Sequence, residues 1–182
     1  IGGIRIGWEG AGLKTAFSND FDRFCKITYA LNFREAFLTV EDIFRIDEKS
    51  LPRFDVFAGG FPCQPFSIAG YRKGFKDKGR GDIFFEIVRI LEYIKPQAVF
   101  LENVKNLKAH DGGRTYKIIE KALKKLGYHT KSAVLNTMRY GGIPQNRERI
   151  YIVGFRNKKY AERFNFPEPI ALKTKVADLL EK

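Results

Sequence analysis

Short apolar runs alternate along this chain with longer stretches whose apolar residues recur every three to four positions. The runs that predict strands lie at 14–19, 54–58, 98–101, 131–135 and 149–155. The stretches that predict helices lie at 21–32, 82–93 and 116–126. Strands that alternate with amphipathic helices predict an α/β fold, in which a doubly wound, mostly parallel sheet carries helices on both faces.

Candidate functional residues follow three of the predicted strands. Asp20 follows the first strand, residues 59–63 follow the second, and Glu102 with Asn103 follows the third. Ligands of open parallel sheets bind beyond the carboxyl ends of the strands. We therefore expect these three segments to line one cleft.

Cys63 is a candidate nucleophile because of its local sequence. It lies between Pro62 and Pro65, which cannot continue a helix or a central strand, so the thiol is presented on a stiff turn. Nearby positive charge or backbone N–H groups would favour the reactive thiolate. An inert buried thiol is the alternative, and it is the interpretation of Cys25, which falls within a predicted amphipathic helix.

The stretch 61–80 has no clear periodicity and is rich in basic and aromatic residues. Loops of this length in a compact domain are usually functional or disordered. A lid that closes on a phosphate backbone is one interpretation. A surface excursion without function is the other.

Glu102 and a pair of arginines form a second candidate set. A carboxylate at the rim of a strand is partly desolvated, which favours sharing a proton with a ligand, although a surface or capping glutamate is the alternative. In the segment 145–149, Arg147 and Arg149 share one face because strand side chains alternate. Paired guanidinium groups suit a phosphate, a carbonyl oxygen or a carboxylate, whereas an exposed strand edge would have no function.

Asp20 lies 17 positions after Gly3, which belongs to a weak glycine signal. An acidic residue at the end of a strand suits hydrogen bonds from the ribose of a nucleotide-like cofactor.

Charge and composition narrow the class of protein. Lys and Arg total 33 against 21 acidic residues, a formal net charge of +12. This surplus favours nucleic acid as partner because phosphate contacts release counterions, although a basic proteome is the alternative. No apolar run approaches the roughly 20 residues needed to span a bilayer. Two cysteines and two histidines, with no CxxC or HExxH, predict no metal site.

Together these segments resemble the cytosine-C5 DNA methyltransferase family of the bacterial and archaeal restriction-modification type. The matching segments are 1–7 (glycine motif), 18–22 (ribose segment), 42–43 (adenine pair), 60–67 (nucleophile motif), 102–104 (Glu-Asn-Val) and 145–149 (Gln-x-Arg-x-Arg). Asp20 stands where the family usually has Glu. The resemblance implies an AdoMet-dependent methyltransferase (Rossmann-like) fold and a cytoplasmic, nucleoid-associated prokaryotic enzyme.

The resemblance also implies a role for individual residues. The catalytic residues are Cys63, Glu102, Arg147 and Arg149. The residues that bind S-adenosyl-L-methionine, whose product is S-adenosyl-L-homocysteine, are Ile1, Gly2, Gly3, Asp20, Phe21, Asp42, Ile43, Gly60 and Pro62. The residues that bind the substrate, double-stranded DNA, are Phe61, Gln64, Ser67, Asn103, Val104 and Gln145. Cys63 would add to C6 of a flipped-out cytosine, whose C5 then takes the methyl group.

Two departures from the family pattern bear on domain organisation. The family has a strand and a Phe-x-Gly before the position of Ile1, and a target-recognition domain after the position of Leu180. We therefore expect residues 1–182 to be an AdoMet-binding catalytic domain without its first strand and without the target-recognition domain. A complementing chain, as in split enzymes, or a simple truncation would explain the difference. Methylation of cytosine in tRNA, and a non-catalytic subunit that binds DNA or a partner, are the alternative functions.

Overall fold

The computed structural model describes residues 2–33, 38–62 and 83–180. The chain divides into two compact units. The amino-terminal unit comprises 1–59 and 67–96, and the carboxy-terminal unit comprises 60–66 and 97–182.

The amino-terminal unit contains helices around a small parallel strand pair. Its elements are α1 Gly3–Gly10, β1 Asn19–Asp20, α2 Arg23–Asn32, β2 Thr39–Val40, a 3-10 turn at Ile43–Arg45, β3 Val56–Gly60 (whose last residue belongs to the other unit) and α3 Ile83–Ile94. β1 and β2 pair in parallel, with Asp20 opposite Val40. The predicted strand at 14–19 is therefore shorter than expected, and the predicted helix at 21–32 begins at Arg23, where Asp22 caps it by accepting from the Phe24 amide at 2.9 Å.

Helix α3 confirms the predicted amphipathic pattern. Its buried residues are Phe84, Ile87, Val88, Ile90, Leu91 and Ile94. Helix α2 differs, because its apolar stripe of Phe24, Ile27 and Leu31 is exposed and only Tyr29 is buried. The Tyr29 hydroxyl accepts from Arg5 Nη1 at 2.9 Å and lies 2.6 Å from Ser18 Oγ. A polar cluster, and not the apolar stripe, thus anchors α2.

The carboxy-terminal unit contains three paired strands, and a helix connects the first strand to the second along the chain. Its elements are β4 Ala98–Val104, 3-10 turns at Lys105–Lys108 and His110–Gly113, α4 Arg114–Lys125, β5 His129–Asn136, α5 Thr137–Tyr140, β6 Glu148–Phe155, α6 Lys158–Arg163 and a 3-10 turn at Val176–Leu179. These bounds confirm the helix and strands predicted at 98–101, 116–126, 131–135 and 149–155.

The strand directions in this unit are mixed, whereas the alternation of strands and helices predicted mostly parallel pairing. β6 lies between β4 and β5 and is antiparallel to both. The two outer strands, joined through α4, therefore run parallel to each other. The chain from β5 to β6 is too short for the usual crossover, and a short connection favours antiparallel pairing.

Period-two alternation along β4 divides its side chains between core and site. Val99, Leu101 and Asn103 are buried, whereas Phe100 and Glu102 lie on the other face and are only partly covered. Leu101 pairs with Ile152, and both are almost fully buried. The same strand thus fixes the core with one face and presents Glu102 with the other.

None of the helices within the described residues is long and apolar enough to cross a membrane.

Shortening Leu101 to Ala tests how much the β4–β6 core contributes to stability. We expect Leu101→Ala to lower the free energy of unfolding by about 2–5 kcal/mol, because the lost methyl groups leave a cavity in close packing. Leu172→Ala is the matched control, since Leu172 is exposed, and it should change stability by no more than about 0.5 kcal/mol. Urea unfolding followed by circular dichroism measures both, and equal losses would contradict this account of the core.

Candidate functional site

The carboxylate of Glu102 is held by two arginines in the carboxy-terminal unit. Arg149 Nε lies 3.1 Å from Glu102 Oε1, and Arg147 Nη2 lies 3.6 Å from the same oxygen. The β4–β6 register explains the approach, because Arg149 pairs with Val104, two residues from Glu102. Arg149 is the more buried partner, with 21% of its side chain exposed against 48% for Arg147. The structure thus brings together three of the four residues predicted to be catalytic.

The other carboxylate oxygen of Glu102 faces Gly60. A Cβ added at Gly60 would lie 3.3 Å from Glu102 Oε2, so a side chain there would crowd the carboxylate. Within the described residues, no protein group donates a hydrogen bond to Oε2. One oxygen is therefore oriented by the arginines, whereas the other lies next to Gly60.

Asn103 fixes the backbone that leads to the predicted nucleophile. Its side chain is 3% exposed, and its Nδ2 donates to the Phe61 carbonyl at 2.8 Å. Its Oδ1 accepts from the Val104 amide at 2.8 Å. Both polar atoms are thus satisfied, as burial requires, and the chain is tied to β4 two residues before Cys63. Phe61 is buried, whereas Pro62 is exposed.

Three residues predicted to act on the substrate, Cys63, Gln64 and Ser67, lie outside the described residues, as does the predicted lid from residue 63 onwards. Their roles stay predictions.

The loop before β6 is held by short-range hydrogen bonds. The Arg147 carbonyl accepts from the Thr137 amide at 3.0 Å, and Asn136 Nδ2 donates to Asn146 Oδ1 at 2.7 Å. Gln145 is exposed, and its carbonyl accepts from the Arg147 amide at 2.9 Å. These bonds hold the backbone at Arg147, and the side chains of Arg147 and Arg149 both face Glu102, as the alternation predicts.

Tyr151 is a site residue that the sequence pattern did not indicate. It pairs with Glu102 across the β4–β6 ladder, and its ring packs on Phe100 with centroids 5.4 Å apart. Burial raises the pKa of Tyr151, and the Glu102 carboxylate raises it further, whereas Arg147 and Arg149 lower it. Only the strand register, which sequence does not provide, could have placed this phenol beside Glu102.

Four predicted cofactor residues, Asp20, Phe21, Asp42 and Ile43, lie at or just beyond the carboxyl ends of the paired strands β1 and β2. Asp20 ends β1, and its Oδ1 accepts from the Asp22 amide at 3.0 Å. Phe21, directly after it, is 77% exposed. Asp42 follows β2 by two residues and caps the next turn by accepting from the Phe44 amide at 3.1 Å. Ile43, in that turn, is half-buried.

Two further residues hold this edge in place. Asn19 Nδ2 donates to the carbonyls of Thr39 and Glu41, at 3.0 and 2.8 Å, and so ties β1 to β2. Arg89 Nη2 donates to the Ile43 carbonyl at 3.0 Å, and its Nε donates to Glu86 at 2.8 Å. The sequence offered a weak signal for Asn19, an amide at a strand end, and none for Arg89.

The glycines predicted to bind cofactor differ in their surroundings. Gly2 has φ +76°, and a Cβ there would lie 2.3 Å from the Phe33 ring, so only glycine fits. Gly3, the first residue of α1, is open to solvent. Ile1 lies outside the described residues. Gly60 and Pro62 belong to the carboxy-terminal unit.

Cys25 was predicted to be a buried core thiol, but it is only half-buried, because the apolar stripe of α2 is exposed. Desolvation raises the pKa of this thiol, and the carboxylates of Asp20 and Asp22 raise it further. A raised pKa disfavours the thiolate, so Cys25 has the character of an unreactive cysteine.

Among the described residues, no group of three or more His, Cys, Asp or Glu side chains could hold a metal ion. The absence of a metal from the whole chain stays a prediction.

The titration of Tyr151 tests the electrostatics of the site. Glu102→Gln should lower the Tyr151 pKa, because it removes a nearby negative charge, and Arg147→Gln should raise it, because it removes a positive one. The tyrosine Cζ resonance, assigned by comparison with Tyr151→Phe, reports the titration. Shifts in the same direction for both variants would contradict the arrangement.

Comparison with known proteins gives consistent results over the whole chain. The sequence model of the C-5 cytosine-specific DNA methylases matches residues 1–182. The type II methyltransferase M.Bsp6I of Bacillus sp. (strain RFL6) is 50% identical over 181 residues, which are 99% of this chain and 57% of that protein. M.HhaI of Haemophilus parahaemolyticus is 44% identical over 180 residues, 99% of this chain and 54% of that protein. The chain therefore spans little more than half the length of these relatives.

A solved structure confirms the fold class. A DNMT2 mutant from Spodoptera frugiperda superposes with a TM-score of 0.69 at 23% identity, covering 87% of this chain and 48% of that one. At this identity the likeness shows an α/β methyltransferase fold and no more. The family match over all 182 residues carries the assignment further. This chain belongs to the C-5 cytosine-specific DNA methylase family.

Proposed function

We propose that this chain is the catalytic portion of a DNA cytosine-C5 methyltransferase, which transfers a methyl group from S-adenosyl-L-methionine to C5 of a cytosine in DNA. The observation that carries the proposal is the Glu102 carboxylate, with one oxygen held 3.1 Å from Arg149 and the other facing Gly60. Family membership and the net charge of +12 support it.

The amino-terminal unit has groups that fit the cofactor. Asp20 offers a carboxylate for the ribose hydroxyls, and Phe21 offers an exposed ring at the carboxyl edge of a parallel strand pair. Asp42 and Ile43 would flank the adenine. The bound cofactor would supply a methyl group on a positively charged sulfur and would leave as S-adenosyl-L-homocysteine. Gly2, Gly3, Gly60 and Pro62 are the further cofactor residues in this proposal, with Ile1.

The reaction requires that cytosine leave the base stack, because its ring atoms are inaccessible inside a duplex. The Cys63 thiolate would then form a bond to C6, and the C5–C6 electron pair would make C5 nucleophilic. After C5 has taken the methyl group, loss of the C5 proton would restore the double bond and expel the thiolate. Cys63 is thus regenerated, and the net change is replacement of hydrogen by methyl.

Glu102 would act at N3 of the cytosine through Oε2. A hydrogen bond or a proton at N3 stabilises the charge that develops when Cys63 adds to C6. Arg149 and Arg147 would keep the carboxylate in one orientation and contact the base carbonyl. Asn103 would contribute by holding the Phe61 backbone, and Phe61, Gln64, Ser67, Val104 and Gln145 complete the proposed substrate site.

Recognition of a DNA sequence is assigned in this proposal to a region outside the catalytic portion. The match covers 57% of M.Bsp6I and 54% of M.HhaI, so both relatives have residues beyond the matched region. In this proposal a complementing polypeptide supplies sequence recognition to the catalytic portion.

A covalent trap tests the proposed reaction. Duplex DNA that contains 5-fluorocytosine blocks loss of the C5 substituent, so the adduct with Cys63 should accumulate in the presence of S-adenosyl-L-methionine and survive denaturing electrophoresis. The assay compares the chain alone with the chain supplemented by the non-matching region of M.Bsp6I. Cys63→Ala should abolish the adduct, and Glu102→Gln should slow methyl transfer by about 10²- to 10⁴-fold.

The second cysteine provides the matched control for this assay. Cys25→Ala should form the adduct at the rate of the parent chain. Adduct formation by Cys63→Ala, or loss of the adduct in Cys25→Ala alone, would refute the assignment. Methyl transfer to tRNA but not to duplex DNA would favour the tRNA alternative, and no transfer to either by the supplemented chain would favour a non-catalytic subunit.

Cofactor binding can be measured without catalysis. Asp20→Asn should weaken binding of S-adenosyl-L-homocysteine by about 10- to 100-fold, because a charged hydrogen bond contributes about 1.5–3 kcal/mol. Isothermal titration calorimetry measures the affinity. Asp55→Asn, an exposed carboxylate of the same unit, is the control and should bind like the parent. Unchanged affinity in Asp20→Asn would remove Asp20 from the cofactor site.

A further inference from the structure

An open groove lies in the carboxy-terminal unit next to the Glu102 site. Its volume is about 410 Å³, within the range of sites for small ligands. The residues that line it are Val104, Lys105, Asn106, Gln145, Asn146, Arg147, Glu148 and Arg149. Glu102 is not among them, so the groove adjoins the carboxylate site without containing its acid. Lys105, Asn106, Asn146 and Glu148 have no role in the proposed reaction.

The groove favours an anion. Three cationic side chains line it against one carboxylate, that of Glu148. Arg149 is engaged with Glu102 at 3.1 Å, whereas Arg147 is half exposed and lies farther from that carboxylate. Among the described residues, the side-chain amides of Asn106 and Gln145 have no hydrogen-bond partner, and both are exposed. Amide N–H groups and cations together suit the oxygens of a phosphate.

Lys105 is the cation that can change partner. Its Nζ forms an ion pair with Glu148 Oε2. The side chains are 54% and 39% exposed, and ion pairs this exposed contribute only about 0–1 kcal/mol. A phosphate can therefore replace Glu148 at Lys105 at little cost.

The strand register explains why Glu148 faces Lys105. Val104 pairs with Arg149, so the next residue of the chain, Lys105, comes opposite Glu148. Alternation along β6 directs Arg149 to Glu102 and Glu148 away from it. Glu148, although it lies between the two arginines in sequence, therefore pairs with Lys105 and not with Arg147 or Arg149.

We propose that this groove binds a phosphodiester of the DNA strand next to the target cytosine, and that Lys105 exchanges Glu148 for that phosphate when DNA binds. The inference rests on the proposed function in one respect, that the substrate is DNA. Glu148 acts as a competitor that occupies Lys105 when DNA is absent.

Binding of duplex DNA at several salt concentrations tests the exchange. Lys105→Gln should weaken binding and reduce the slope of log K against log salt by about 0.9, the loss of one phosphate contact. Glu148→Gln should strengthen binding, because it removes the competitor. Lys105→Arg should restore the parent slope. Fluorescence anisotropy with a labelled duplex of about 20 base pairs measures each affinity.

Lys159→Gln is the matched control, since Lys159 is exposed on α6 outside the groove, and its slope should equal that of the parent. If the Lys105–Glu148 pair served only the fold, both Lys105→Gln and Glu148→Gln would weaken binding, and that result would overturn the proposal. An equal effect of Lys105→Gln and Lys159→Gln would also overturn it.

Uncharged backbone linkages locate the contact. The parent chain should bind a duplex with a methylphosphonate beside the target cytosine more weakly than it binds normal DNA. Lys105→Gln should bind the two duplexes equally. A Lys105 effect seen only with RNA would overturn the proposal. These affinities do not depend on methyl transfer. If the covalent trap fails but the DNA affinities change as expected, only the proposed reaction is refuted. If the trap succeeds but the affinities do not change as expected, only the proposed groove is refuted.

Discussion

The antiparallel pairing of β4 with β6 is the constraint on which the carboxy-terminal unit depends. It places Leu101 against Ile152 in the core and, through the alternate residues, Glu102 against Tyr151. A slip of one residue would exchange the two faces of a strand. It would place either the carboxylate or its arginines on the wrong side, so the register that closes the core also assembles the site.

Asn103 shows how core and site are joined within three consecutive residues. Leu101 is buried among apolar groups, Glu102 is ion-paired, and Asn103 is buried again but polar. A buried amide is tolerated because the Phe61 carbonyl and the Val104 amide satisfy it. These hydrogen bonds tie the Phe61 backbone, two residues before Cys63, to β4. Three consecutive residues of β4 therefore serve the core, the ion pair and the backbone at Phe61.

The sequence predicted the elements better than their arrangement. The spacing of apolar residues indicated α3 and the strands of the carboxy-terminal unit. The prediction that Glu102 and Asn103 follow a strand was wrong, because β4 continues to Val104 and both residues pair with β6. The direction of β6 could not be predicted, because alternation is the same in parallel and antiparallel strands. Pairings such as Tyr151 with Glu102, or Lys105 with Glu148, depend on register and are therefore invisible before the strands are aligned. The exposed stripe of α2 shows a further limit, since spacing reveals a face but not what covers it.

Gly60 has a consequence for how mutational data on this family member would be interpreted. An alanine there would put its methyl carbon 3.3 Å from Glu102 Oε2, and the arginines on Oε1 limit how far the carboxylate can yield. Glycine contributes no functional group to the chemistry. In a scan of random substitutions, intolerance at position 60 would therefore indicate close packing against Glu102 and not a functional group of residue 60.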